Sequence, residues 1–452
     1  RAGTRRLIFV VSFPCHSFIP PQNHIMILGP VTLLDCLVFL IFLAPQLLIQ
    51  VGLFQTVQVA VKALPFLIFQ LPVQLIQERY YTPTSLKPGF VQTATLFEDL
   101  VVRCVRYAFQ SIPSSVSRVF FDKWVALPFL RWRMLRHGYV RSPVYWKEER
   151  YGHGNESFSG LWIKHRPEHP PDFVLYYIHG GGFSLGSAAF YLEFLLAWHH
   201  LLVEAGYRNP AIFALDYTLV PDDVYPKQLN EVTSGYKLVM KTAGDPSKVC
   251  VAGDSAGGAL VLSLLQELGA QRGKKEDATA GTQLSNGRRL PQESSTALPL
   301  PRLATLISPW VTLMTHLHSP SPTDFLNRES LWKYAHEYAG EAMIHRHPAS
   351  PGSCVDGDVW RAASPGRGYY VIYGEDEVFA PNIEDFVRQQ TMMGVEIGSL
   401  NIPAGIHAWP VVSLFLSSYT ERRLAGLQTL VREVKQRMSG KVDGQDMGDK
   451  SD

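Results

Sequence analysis

The sequence is short of most features that would point to a metal centre, a nucleotide site or a nucleic-acid surface. Only five cysteines occur among 452 residues. Cys15, Cys36, Cys104, Cys250 and Cys354 form no CxxC pair and no zinc spacing, which argues against a structural zinc module. They read as buried thiols, with a single Cys104–Cys354 bridge as the alternative. Charge of one sign is also lacking: 42 basic and 40 acidic side chains leave a formal net charge of +2, too little to hold a phosphate backbone. No internal repeat is evident. The chain is nevertheless no disordered polymer, because 46% of its residues are apolar and 18% charged, enough for one large core or two smaller ones.

Long apolar runs are confined to the N-terminal part. The segment Val31–Phe54 holds one charge, Asp35, over a length sufficient to cross a hydrocarbon layer, which takes about 20 residues. Pro45, Gln46 and Gln50 interrupt its apolar character. A second run, Val57–Ile76, carries Lys62 and two prolines and reads as an interfacial segment or partial hairpin. Residues 1–79 are therefore expected to associate with a membrane, the alternative being a cap of buried helices. Arg5 and Arg6 would place the N-terminus in the cytosol, whereas Lys62 and Arg79 pull the other way. Met26 reads as a natural start, with residues 1–25 as an upstream stretch foreign to the protein. The sequon Asn155-Glu156-Ser157 has meaning only in a secretory lumen.

Beyond about Leu161 the pattern changes to apolar strands alternating with helices. Strands are expected at Phe173–Ile178, Ala211–Tyr217, Lys248–Ala252, Leu303–Ile307, Tyr369–Tyr373 and Glu396–Ile402. That alternation predicts an α/β fold with a mostly parallel sheet covered on both faces. Leu424, Leu427, Leu430, Val434 and Met438 recur at helical spacing and predict a final helix. The polar stretch Gly269–Pro301 reads as a flexible surface insertion, and the tail 439–452 as loose.

Two glycine-bearing stretches carry chemistry. In "VLYYIHGGGF", His179 and three glycines follow a strand directly. Adjacent glycines lose the most backbone entropy on folding, so the run must serve something other than stability. The stretch holds neither GxxxxGK[ST] nor GxGxxG, the usual phosphate cradles. In "VCVAGDSAGG", Gly253-Asp254-Ser255-Ala256-Gly257 passes from strand to helix as G-x-S-x-G, the nucleophile elbow. A serine attacking an acyl group creates an oxyanion that needs fixed N–H donors. Gly181 and Gly182, with the N–H of Ala256, are the expected donors. The serine needs a base, and in this chain order the acid and then the histidine follow it. His407 follows a strand in "LNIPAGIHAWP" and stands out among 15 histidines. Glu375, Asp376 and Glu377 stand in a row after the strand before it, and local chemistry does not choose among them.

Taken together, HGGGF, GDSAGG, "LDYTLVPDDVYPKQL", "LISPWVTL", "GEDEVF" and "GIHAWP" resemble the hormone-sensitive-lipase-like branch of the α/β-hydrolases over roughly residues 162–438. "DYTLVPD" departs from that branch's DYRLAPE at Thr218, Val220 and Asp222. "GEDEVF" departs from its DPLxD, and matching Val378-Phe379 to Pro-Leu puts Glu377 on the acid position, with Asp376 as the alternative. The apolar N-terminus and the "HAWP…SLFL" ending are similar to membrane-anchored fungal steryl acetate deacetylases. The resemblance implies an α/β-hydrolase domain over residues 80–438 and a helical cap from about residues 80–150 and 315–365. It implies a serine carboxylester hydrolase without metal or cofactor, with Ser255, Glu377 and His407 as triad. The implied partners are a small hydrophobic ester and a membrane, that of the endoplasmic reticulum, and no nucleic acid. The apolar stretch Val119–Val140 reads either as core packing or as a lid shaping an acyl or sterol pocket. A lactone hydrolase of the same fold and a non-catalytic ligand-binding relative are the competing readings.

Overall fold

The computed structural model describes residues 27–280 and 297–440. The upstream stretch before Met26 and nearly all of the C-terminal tail lie outside the described residues.

Eight strands form one sheet: β1 (Tyr145–Tyr151), β2 (Phe158–Lys164), β3 (Phe173–Ile178), β4 (Pro210–Asp216), β5 (Val249–Asp254), β6 (Leu303–Ile307), β7 (Tyr369–Gly374) and β8 (Ile397–Ile402). Their order is β1-β2-β4-β3-β5-β6-β7-β8. From β4 to β8 all pairings are parallel, and β2 joins β4 antiparallel. Every residue of β3 is buried, as is every residue of β5, because helices cover both faces of the sheet. Val174, Tyr176 and Ile178 point into one core, and Phe173, Leu175 and Tyr177 into the other. The strands read from the sequence appear within a residue or two of their expected ends. The β1–β2 hairpin was not expected.

The helices, in chain order, begin with α1 (Leu33–Gln50), α2 (Leu53–Pro65) and α3 (Leu71–Ile76). Thr32 and Asp35 cap α1 reciprocally. A π turn at Phe66–Gln70 joins α2 to α3, so Leu53–Tyr81 runs as one helical stretch despite Pro65 and Pro72. The wider turn accommodates the missing proline donor. Leu33–Gln50 and Leu53–Tyr81 are each long and apolar enough to cross a membrane. One side of each packs on the body: Leu43 sits with Val119 and Val125, and Phe66, Leu71 and Leu75 pack on Leu100, Cys104 and Tyr107. Leu37, Ile41, Ile49, Phe54, Phe69 and Val73 remain exposed.

Then follow α4 (Gly89–Thr93), α5 (Leu96–Ser111), α6 (Ser114–Phe120) and α7 (Lys123–Arg136). The body helices are α8 (Leu192–Glu204), α9 (Lys227–Ala243), α10 (Ala256–Ala280), α11 (Arg328–Met343), α12 (Gly357–Ala363), α13 (Ala380–Met392), α14 (Trp409–Leu416) and α15 (Thr420–Ser439). The expected terminal helix is α15. One expectation needs correction. Helix α10 continues through Gly269 to Ala280, and Pro299 accepts a hydrogen bond from the Tyr236 hydroxyl. The supposed insertion is therefore ordered at both edges, and its middle, 281–296, lies outside the described residues. Of the two readings of Val119–Val140, core packing is the one seen for α7, which buries Leu130 and Met134 in the core shared with α8. Cys104 and Cys354 are both free thiols, so the alternative bridge is absent.

Candidate active site

Ser255 directly follows β5 with φ 52, in the left-handed region that non-glycine residues rarely occupy. Its N–H donates to the Ile307 carbonyl and its own carbonyl accepts from the Trp310 N–H, both at 3.0 Å. The strained turn is thus held from both sides. Gly257 allows the closeness behind it, because a Cβ there would collide with the carbonyl oxygen of Ile178 at the end of β3.

The triple-glycine loop leaves β3 beside this turn. Gly181 has φ 112, and a Cβ on it would strike the Leu185 carbonyl. The N–H groups of Gly181 and Gly182 donate to no other described residue. Ala256 opens α10, where a first-turn N–H has no intrahelical acceptor. Asp254 anchors the loop: its carboxylate accepts from Gly180 N–H at 2.8 Å and from the hydroxyls of Tyr177 at 2.6 Å and Tyr191 at 2.7 Å. Burial pushes the Asp254 carboxyl above its usual range.

His407 lies on the loop after β8, with its ring edge-on to Phe325 and Phe379. Burial pulls its imidazole down to about 3. Its Nδ1 stands 3.9 Å from Glu377 Oε2, an ion-pair distance rather than a hydrogen bond. The three consecutive carboxylates have separated fates. Glu375 is exposed. Asp376 turns away and accepts from the Phe90 N–H at 3.1 Å and the Thr323 hydroxyl at 3.4 Å. Glu377 is buried, and burial raises its carboxyl well above the ordinary range.

Ser255, His407, Gly181 and Gly182 line one cavity of about 280 Å³. Glu377 stands behind the histidine, outside that lining. The wall opposite is apolar and comes largely from α5, through Val101, Val105 and Phe109, and from α14, through Val411 and Phe415. Phe325, just before α11, and Tyr334, within it, also line the cavity, so both expected cap regions reach the site. The other side of α5 is the surface on which Phe66, Leu71 and Leu75 pack.

Two buried side chains near the histidine escaped the sequence reading. Asp324 accepts the His407 N–H at 3.3 Å and the Val378 N–H at 2.8 Å, and burial raises its carboxyl to about 6. Ser308 touches Glu377. Neither has a local signal, although Ser308 belongs to the quoted "LISPWVTL". Among the described residues no cluster of His, Cys, Asp or Glu could hold a metal ion.

Comparisons with known proteins identify the fold. The family profile described as alpha/beta hydrolase fold matches residues 175–411, and that of the steryl acetyl hydrolases matches residues 63–276. Neutral cholesterol ester hydrolase 1 of Pongo abelii is 36% identical over 110 residues, 23% of this chain and 26% of its own. An acetyl-hydrolase of Streptomyces hygroscopicus is 29% identical over 196 residues, 42% of this chain and 54% of its own. The chain thus spans between a quarter and about half the length of these two relatives. A crystal structure of an esterase from the bacterial hormone-sensitive lipase family superposes with a TM-score of 0.54 at 19% identity, covering 77% of this chain and all of the other. With more than half of its length matched by the family profile, and with the elbow and glycine loop in place, the chain belongs to the α/β-hydrolase fold family.

Proposed function

We propose that the protein is a serine carboxylester hydrolase that cleaves acyl or acetyl esters of hydrophobic alcohols. The observation that carries this reading is the meeting of Ser255, His407 and two unpaired glycine N–H groups in one apolar cavity. Ser255 Oγ attacks the ester carbonyl while His407 removes its proton. The resulting oxyanion is held by the N–H groups of Gly181, Gly182 and Ala256. The C–O bond to the alcohol breaks, and His407 returns the proton to the leaving oxygen. Water, deprotonated by the same imidazole, then attacks the acyl-serine and releases the acid. Glu377 lies on the Nδ1 side of the ring, where a carboxylate orients it and balances its transient charge. The apolar wall and the steryl acetyl hydrolase match favour a hydrophobic alcohol.

We also propose attachment to a membrane through residues 33–81, whose outward faces present apolar side chains such as Phe54, 84% exposed, and Ile49, 75% exposed. A fluorophosphonate probe should label the wild type and not Ser255→Ala, and p-nitrophenyl acetate turnover should vanish in Ser255→Ala and His407→Ala. Unchanged labelling in Ser255→Ala would falsify the assignment. Alkaline carbonate should leave the protein with the membranes; recovery in the supernatant would refute attachment.

A further inference from the structure

We propose that Ser308 is a positioning residue of this reaction, its hydroxyl binding the acid turn to the histidine turn; the proposal rests on the reading of Glu377 and His407 given above. Ser308 directly follows β6 with φ 44, a left-handed conformation held by its N–H donating to the Ile372 carbonyl of β7 at 2.8 Å. Its side chain is fully buried and lies outside the cavity lining. The hydroxyl donates to Glu377 Oε2 at 2.6 Å and accepts from the Ala408 N–H at 2.9 Å. Ala408 is the residue after His407 and is itself left-handed, with φ 50.

A hydroxyl has a single proton to give. Here it is committed to the carboxylate, while a lone pair takes the amide, so the group cannot rotate without losing one of the two. Two strained turns that arrive from different strands are thereby joined through one oxygen atom. The other donor to Glu377 Oε2 is the Gly374 N–H at 3.2 Å. Removing the hydroxyl leaves the carboxylate with that longer bond alone and orphans a buried amide next to the base. His407, Asp324 and Tyr373 are the titratable groups facing Glu377, and none of them donates a hydrogen bond to it. Ser308 is therefore the side-chain donor that favours the ionised form.

The test uses the full chain with Ser308→Ala and Ser308→Gly. Alanine keeps the Cβ and the backbone strain, whereas glycine removes the hydroxyl and relieves the strain. Both variants should lose kcat by tenfold or more, part of the roughly 10²–10⁴-fold that a positioned acid–base pair supplies. KM should stay within about twofold, because uniform substrate binding is untouched. The acid limb of the kcat/KM profile should move to higher pH, since the carboxylate has lost a donor. Wild-type kcat in either variant would overturn the proposal. So would a loss that tracks the folded fraction, read by circular dichroism, with the limb unmoved. Glu377→Gln and Ser255→Ala run alongside. If both are inactive while Ser308→Ala is unimpaired, only the Ser308 role fails; if either keeps full turnover, the site reading fails and the Ser308 role with it.

Discussion

The guanidinium of Arg133 forks onto the carboxylate of Glu193, Nη2 to Oε1 at 2.6 Å and Nε to Oε2 at 2.8 Å, with the arginine side chain sealed from water. The same group reaches Asp35 Oδ2 at 3.4 Å and the Gly29 carbonyl at 2.7 Å. One cation therefore ties α7 to α8 and to the start of α1. Arg133→Met should destabilise the protein by about 3–5 kcal/mol, because it leaves the buried Glu193 carboxylate without its partner, while Asp35 keeps Arg136 at 2.8 Å. Urea denaturation measures this, and a loss below about 1 kcal/mol would show that the pair contributes little.

Gly181→Ala should abolish most of the turnover. Its Cβ would meet the Leu185 carbonyl at a φ that alanine avoids, so the loop must move and take the proposed oxyanion donor with it. Loss of one such donor costs about 10²–10³ in kcat. Steady-state hydrolysis of p-nitrophenyl acetate reads the effect, and near-normal turnover would remove the loop from the mechanism.

Asp254 offers a sharper contrast. Its carboxylate receives three donors, two of them on Oδ1, and the carbonyl oxygen of an asparagine can keep those two, so an amide is a close substitute. Asp254→Asn should stay within about 1 kcal/mol of wild type, whereas Asp254→Ala, which orphans buried donors, should cost about 3 kcal/mol or more. Thermal and denaturant melts at pH 7 distinguish them. Equal losses would mean that the carboxyl acts as a charge.

A pH dependence follows from His199, buried with its Nε2 bonded to the Pro210 carbonyl at 3.2 Å. Burial pulls it down to about 3, below the ordinary value of about 6.5 that an unfolded chain restores. Its contribution is complete above about pH 6.5 and is lost as pH falls, because the unfolded state takes up the proton first. Relative to His199→Gln, wild-type stability should therefore shrink steadily between pH 6.5 and 4. A difference constant over that range would contradict the buried neutral imidazole.

How much the sequence revealed depended on what each signal measures. Strands β3 to β7 were legible because both faces are buried, which writes continuous apolar runs such as Phe173–Ile178. The β1–β2 hairpin was not, since β1 is a charge-rich edge strand with Lys147 and Glu148 exposed and none of its residues buried. Helix α10 extends beyond Gly269 because Gln271, Lys274, Lys275 and Glu276 are good helix formers; periodicity reports burial, not helicity. Ser255 and His407 were readable from their strand-end settings. Glu377 was separated from its neighbours by alignment to a family pattern, and in the structure it is the buried one of the three carboxylates. Asp324 and Ser308 were silent because their partners lie 83 and 69 positions away, and only the folded chain brings them close.

Helix α5 is a partition with two tenants. Val105 and Phe109 look into the cavity lined by Ser255 and His407, while Tyr107 stacks on Phe66 of the apolar helical stretch at 4.2 Å between ring centres. That rod, about 10–12 Å across with its side chains, stands between the cavity and the apolar stretch. Under the proposed reading of an esterase resting on lipid, a greasy ester would have a route of about that thickness, with no passage through bulk water.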